Sequence, residues 1–266
     1  AGVEAGINLI DTAPVYGDGH SEEVVGKAID GLKREELIIA TKCGRFTCET
    51  EKIRKELERS LTLLGTDYID LYQVHWPDDK VPFEQTFGEL AKMQKEGKIR
   101  YIGVSNFSPA QTEEAAQYCQ IVSTQPQYSL LTRQIEEDLL PYCREKEIGV
   151  LSYGSIAGGA LSGKYKDRPV LEENDERASF YEFFREENWA YTRAMLDVLE
   201  EIAQAHGRPT VQAAINWVLK QPGITVALVG AKTPEQAVMN AQAADWALTD
   251  EENAKIEAAY QKIFAK

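Results

Sequence analysis

A carboxylate, a phenol, an ammonium and an imidazole fall within the first 75 residues, at Asp11, Tyr16, Lys42 and His75. Asp11 ends the run "INLID", Lys42 ends "LIIATK" and His75 ends "YIDLYQVH". Tyr16 follows Asp11 in a loop punctuated by Pro and Gly, "TAPVYGDGHS". Such a set can deliver a proton. A free tyrosine titrates near about 10, too high for efficient proton traffic at neutrality. A lysine cation beside a phenol favours the phenolate. A carboxylate can hold that lysine in place and keep it charged, and an imidazole can orient a substrate oxygen. The set protonates a developing alkoxide but supplies no hydride. No Cys or Ser nucleophile is paired with the histidine, which argues against acyl transfer. Carbonyl reduction with a nicotinamide as hydride source is the natural partner chemistry. Taken singly, each residue has a bland reading: a turn acid, a packed loop aromatic, a strand-end surface lysine, a hydrogen-bonded structural histidine. Their joint placement speaks for a site.

The elements that must position them alternate regularly. β-rich runs lie at 7–12, 37–42, 68–75, 99–105, 120–125, 148–153 and 224–230. Most are nearly continuous in apolar residues, as strands covered on both faces by helices are. Helix signals separate them. Ser21 is expected to cap "SEEVVGKAI", and Ser108-Pro109 to open "SPAQTEEAAQYC". Thr233-Pro234-Glu235-Gln236 reads as a capping box, and later helices are expected near 192–206, 210–221 and after Thr249. Strand-helix alternation implies a parallel sheet, and a (β/α)8 TIM barrel is the expected fold, a single domain over 1–266. Only seven of eight strands are found. Ala1–Glu4 read as the tail of a helix capped by Gly6, so the barrel is expected to lack its opening hairpin, first strand and most of its first helix. In such a barrel the chemistry gathers at the C-terminal strand ends, which hold Asp11, Lys42, His75, Ser105-Asn106, Gln125 and Gln127, Tyr153 and 230–232. The acidic, aromatic-rich stretch 164–189 has no clear strand and is expected to act as a lid.

Composition bounds the partners. With 29 basic and 43 acidic residues the formal net charge is −14, which disfavours nucleic acid and anionic membranes. No apolar run approaches the roughly 20 residues of a membrane helix. Cys43, Cys48, Cys119 and Cys143 form no C-x-x-C pair and there are three histidines. No metal site is expected, and free thiols in a cytoplasmic protein are the simplest reading.

The sequence resembles the aldo-keto reductases, closest to the bacterial branch of general stress and sugar-aldehyde reductases. The motifs "GINLIDTAPVYGDGHSEEVVGKAI", "IIATK", "LGTDYIDLYQVHWPD", "GKIRYIGVSNFSP", "QPQYSLL", "VLSYGSIAGGALSGKY" and "LVGAKTPEQAVMNAQA" run in family order across the chain. The resemblance implies a catalytic tetrad of Asp11, Tyr16, Lys42 and His75, with Trp76 as a substrate-pocket wall. It implies nicotinamide contacts from Ser105, Asn106 and Gln127, and stacking by Tyr153. Pyrophosphate contacts are implied around Ser155, Ile156, Gly158 and Leu161, and adenosine-end contacts at Gly230, Lys232, Thr233, Gln236 and Asn240. Lys232 favours NADP(H) over NAD(H). The implied activity is reduction of a small aldehyde or ketone, in a monomer or homo-oligomer. Gly158-Gly159 stands where relatives carry a basic residue, so fewer side-chain contacts to the pyrophosphate are expected. Two alternatives stay open: a non-catalytic relative that binds the cofactor as a sensor, and a fragment inactive through loss of its first strand. A barrel acting on phosphate esters is a third, more distant reading.

Overall fold

The computed structural model describes residues 1–44, 47–173 and 175–264. Its strands are β1 (Leu9–Asp11), β2 (Ile38–Cys43), β3 (Ile69–Val74), β4 (Ile99–Ser105), β5 (Ile121–Gln125), β6 (Gly149–Ser152) and β7 (Val226–Ala227). Six lie within the runs read as strands and β2 runs one residue past its own, to Cys43; β1 to β6 follow the chain in their order in the sheet. The pairings from β1 to β6 are parallel. The chain forms two compact bodies.

The first body comprises Ile7–Pro126 and Glu137–Leu151. Every residue of β3 is buried, the condition that its near-continuous apolar run anticipates. Five helices accompany the strands: α1 (His20–Ile29), α2 (Thr50–Leu64), α3 (Phe83–Lys95), α4 (Pro109–Ala115) and α5 (Leu139–Glu145). In α2 the apolar side chains recur at helical spacing, so Ile53, Leu57, Leu61 and Leu64 are buried together. The helix ends at Gly65, whose left-handed φ of 62° lets its N–H turn back to Leu61 and Thr62. Ser108 caps α4 with a full capping box through Gln111 and Pro109 in the first turn. Ser21 departs from expectation. It lies inside α1, whose cap is Gly19, and its Oγ accepts from Thr12 Oγ1 at 2.8 Å. The hydroxyl ties the helix to the end of β1 instead of to its own backbone.

Register sets the interior face. Lys42 stands opposite Gln73, Gln73 opposite Gly103, and Ser105 opposite Gln125. Gly103 is required by space: an added Cβ would lie 2.5 Å from Ser123 Oγ and 3.2 Å from Gln73 Cγ.

The second body comprises residues 1–6, 127–136 and those from Ser152 onward. Leu228 N, just past β7, donates to Ser152 O at 2.9 Å. Five helices follow: α6 (Arg177–Phe180), α7 (Glu186–Ala205), α8 (Thr210–Lys220), α9 (Pro234–Ala241) and α10 (Asp250–Phe264). α7 begins six residues before the expected 192, with Glu186 and Glu187 in its first turn, where acids favour a helix start. Trp217 is fully buried and stacks on Tyr128 at 5.5 Å and 27°. Thr233 caps α9 by accepting from Gln236 N, while Gln236 Oε1 accepts from Lys232 N. The glutamine thus reaches one residue beyond the expected box and ties down the loop. Within 164–189 the chain forms α6 and a short turn at Glu182–Phe184; Asn174 lies outside the described residues. Among the described residues no helix is long and apolar enough to cross a membrane.

Candidate active site

Strand ends of the first body bring the four chemical groups together. Lys42 Nζ donates to Asp11 Oδ2 at 2.7 Å and to Thr12 O at 2.9 Å, and lies 3.5 Å from Tyr16 OH. The Lys42 side chain has no exposed surface, and that of Asp11 is 12% exposed. An ammonium has three protons, and three acceptors surround this one. The Tyr16 oxygen therefore accepts from Lys42, which leaves the phenol's own proton for another partner. Tyr16 is 42% exposed, so a reactant can reach it.

His75 follows β3 directly. Its ring meets Tyr16 edge-on at 6.1 Å and 89°, and Trp76 stacks on it at 6.2 Å and 25°. Burial, and then the Lys42 charge, hold the imidazole down to about 4. It is neutral at pH 7. Its Nδ1 is buried without a hydrogen-bond partner among the described residues.

Ser105 Oγ donates to Gln125 O at 2.8 Å. Asn106, in the left-handed region at φ 60°, donates through Nδ2 to His75 O at 3.1 Å and to Ser105 Oγ at 3.0 Å. The pair is therefore held beside the end of β3. The neighbouring thiol Cys43 is fully buried; its contact with Cys48 and then burial push it up, as an inert thiol requires.

In the second body a cleft of about 720 Å³ opens between the turn 154–163 and residues 228–240, within the usual range for small-molecule sites. Ser155, Ile156, Gly158, Gly230, Lys232, Gln236 and Asn240 line it. Leu161 is fully buried and does not line it. Thr233 serves as the α9 cap. Gln127 and Tyr153 pair through their backbones as an isolated bridge outside the lining. Gly158 has φ 62°, and a Cβ there would strike the Tyr181 ring at 2.6 Å. The basic group that Gly158-Gly159 lacks arrives from elsewhere: Arg177 Nη1 donates to Gly158 O at 3.4 Å. Arg177 pairs with Asp175 at 2.5 Å and holds that carboxyl down to about 2. Three cations, Lys164, Arg177 and Lys232, thus border a cleft in a strongly acidic chain. These features fit a phosphate-bearing cofactor.

Two glutamines and one arginine stand at these sites without a role expected from the sequence. Gln125 Nε2 donates to Asp11 Oδ1 at 2.8 Å and Gln73 Nε2 at 3.3 Å. Gln73 carried a signal: it is a polar residue in an apolar strand, two positions before His75 and hence on the same face. Arg177 carried none, because it sits in a stretch without periodicity.

A model of the aldo/keto reductase family matches residues 1–261. The chain is 40% identical over 266 residues to aldo-keto reductase YhdN of Bacillus subtilis (strain 168), across 96% of this chain and 80% of that one. It is similar in structure to the glycerol dehydrogenase AKR11B4 of Gluconobacter oxydans, with a TM-score of 0.93 and 37% identity, across all of this chain and 84% of that one. An aldo/keto reductase from Klebsiella pneumoniae in complex with NADP and acetate matches with a TM-score of 0.79 and 32% identity, across 97% and 82%.

Proposed function

The chain belongs to the aldo/keto reductase family, and from that premise we propose that it is a single-domain enzyme reducing small aldehydes or ketones with NADPH, Tyr16 giving the proton. The observation that carries this reading is the threefold pairing of Lys42, which spends its protons on Asp11, Thr12 and Tyr16 and leaves the tyrosine proton to donate. The complex of the Klebsiella relative with NADP supports the cofactor.

In this reading Ser105 and Asn106 would hold the nicotinamide, a role that the family resemblance also implies for Gln127 and Tyr153. Ser155, Ile156, Gly158 and Leu161 belong to the pyrophosphate turn. Gly230, Lys232, Thr233, Gln236 and Asn240 take the adenosine end. A cofactor held by these residues would supply the hydride for the carbonyl carbon.

The chain's own residues do the rest. His75, neutral, presents Nε2–H to the carbonyl oxygen and orients it beside Tyr16 without adding charge. Tyr16 O–H protonates that oxygen as negative charge develops on it. Lys42 stabilises the phenolate left behind, and Asp11 pairs with Lys42 and holds it in place beside Tyr16. Trp76 walls the substrate space against His75.

The test is loss of NADPH absorbance with a reactive aromatic aldehyde, for the wild type and for Tyr16→Phe, with NADPH binding followed by fluorescence. The wild type turns over, and the variant binds NADPH normally but does not turn over. Equal loss of binding and turnover in the variant would remove Tyr16 from the role of donor.

A further inference from the structure

Beneath the tetrad lies a second layer that the proposed chemistry has not used. Gln73 is wholly buried, on β3. Its Nε2 stands 3.3 Å from Asp11 Oδ1, while Gln125 Nε2 lies 2.8 Å from the same oxygen and 3.4 Å from Gln73 Oε1. Two neutral amides meet on the one carboxylate oxygen that Asp11 does not give to Lys42. A buried amide is costly unless its hydrogen bonds are made. β4 keeps room for this one: opposite Gln73 stands Gly103, where an added Cβ would press on Gln73 Cγ at 3.2 Å.

We propose that Gln73 is a positioning residue for the proton donor, an inference that rests on the carbonyl-reduction reading. With Gln125, its amide holds Asp11 Oδ1, so that Oδ2 alone serves Lys42. A carboxylate with a free oxygen can turn and take an ammonium with both oxygens, drawing Nζ toward itself. Lys42 Nζ is already 3.5 Å from Tyr16 OH, at the limit of a hydrogen bond. Any draw toward Asp11 breaks that contact and separates the cation from the phenol it must stabilise. Amide donors on Oδ1 close off this rotation through charge-assisted hydrogen bonds in a dry interior.

The variants are Gln73→Leu and Gln73→Glu. For Gln73→Leu, kcat falls by roughly 10- to 100-fold, the cost of a small misplacement of reacting groups, while KM and the Kd for NADPH stay within about twofold. Gln73→Glu sets a second carboxyl beside Asp11, and the two share a proton. When protonated, the new group donates to Oδ1 as the amide did; when ionised, it repels Asp11. Its kcat therefore recovers toward wild type as pH falls from about 8 to about 6, whereas Gln73→Leu stays low throughout. A purely structural role predicts no such recovery.

A readout independent of turnover is the thermal midpoint. Gln73→Leu lowers it in the wild-type background, but leaves it unchanged or raises it with Asp11→Leu, where the amide has no acceptor. The proposal is overturned if folded Gln73→Leu keeps kcat within about twofold of wild type, if Gln73→Glu shows no acid recovery, or if the midpoint shift is the same in both backgrounds. If Gln73→Leu does not fold, Gln73→Glu at low pH decides. A wild type that reduces no carbonyl sinks the functional reading, while the thermal comparison still judges the Gln73–Asp11 contact on its own.

Discussion

Replacing Asp11 by Leu leaves the ammonium of Lys42, which has no exposed surface, with Thr12 O and Tyr16 OH as its remaining partners among the described residues. Removing one member of a buried ion pair costs about 3–5 kcal/mol. The amides of Gln73 and Gln125 lose their acceptor as well, which adds about 1–3 kcal/mol. Lys42→Met is the milder change, because Asp11 keeps both amides on Oδ1 and is itself partly exposed. In Asp11→Leu/Lys42→Met neither charge remains, so the double variant costs less than the sum of the singles by on the order of 2–3 kcal/mol. At about 2–4 °C per kcal/mol for a chain of this size, Asp11→Leu alone lowers the Tm by roughly 10 °C or more. The assay is urea unfolding at pH 7 followed by tryptophan fluorescence, on the wild type, both singles and the double. A cost below about 1 kcal/mol for Asp11→Leu, or a coupling within about 0.5 kcal/mol of zero, would mean that the pair is solvated and would refute the buried-pair argument.

Three further outcomes follow from the same geometry. His75 is held down to about 4 against an ordinary 6.5, so its NMR titration midpoint falls near 4. Between those values the unfolded chain binds a proton that the folded one does not. This part of the stability is complete above pH 6.5 and is lost as pH falls toward 4, by on the order of 3 kcal/mol; His75→Gln lacks that acid sensitivity in urea titrations. Gly103→Ala places a methyl 2.5 Å from Ser123 Oγ and against Gln73; it lowers stability by about 1–3 kcal/mol, and kcat falls with it, whereas full activity would show that the layer under the tetrad is loosely packed. Lys232→Ala weakens NADPH binding by roughly tenfold, the loss of about 1.4 kcal/mol, and leaves NADH binding nearly unchanged; equal weakening of both would assign Lys232 to a shared part of the two cofactors.

Much of this was legible in the residues. The seven apolar runs became the seven strands because parallel strands covered on both faces need no polar alternation, and the run itself is the signal. Asp11, Lys42 and His75 were legible because each stands where an apolar run stops. Ser108 was legible as a cap through its Pro and Gln at fixed offsets. Ser21 misled, since a serine before an acidic helical segment looks like a cap wherever the helix starts. The true cap, Gly19, works through a left-handed backbone instead of a side chain. Gln125 stood at a recognised strand end, but its partner is Asp11, 114 residues away, and no local pattern reports that. Arg177 was illegible for a similar reason: it reaches Gly158 O from an irregular segment whose course is set by tertiary packing.

In the proposed reaction hydride passes directly to the carbonyl carbon while Tyr16 supplies the proton. It is tested most directly with NADPH deuterated on one face or the other of C4, an aromatic aldehyde, and mass analysis of the alcohol. One of the two labels is expected on the carbinol carbon, the other stays with the oxidised cofactor, and Tyr16→Phe yields no labelled alcohol. Alcohol that carries neither label, or labelled alcohol formed at the same rate by Tyr16→Phe, would contradict it.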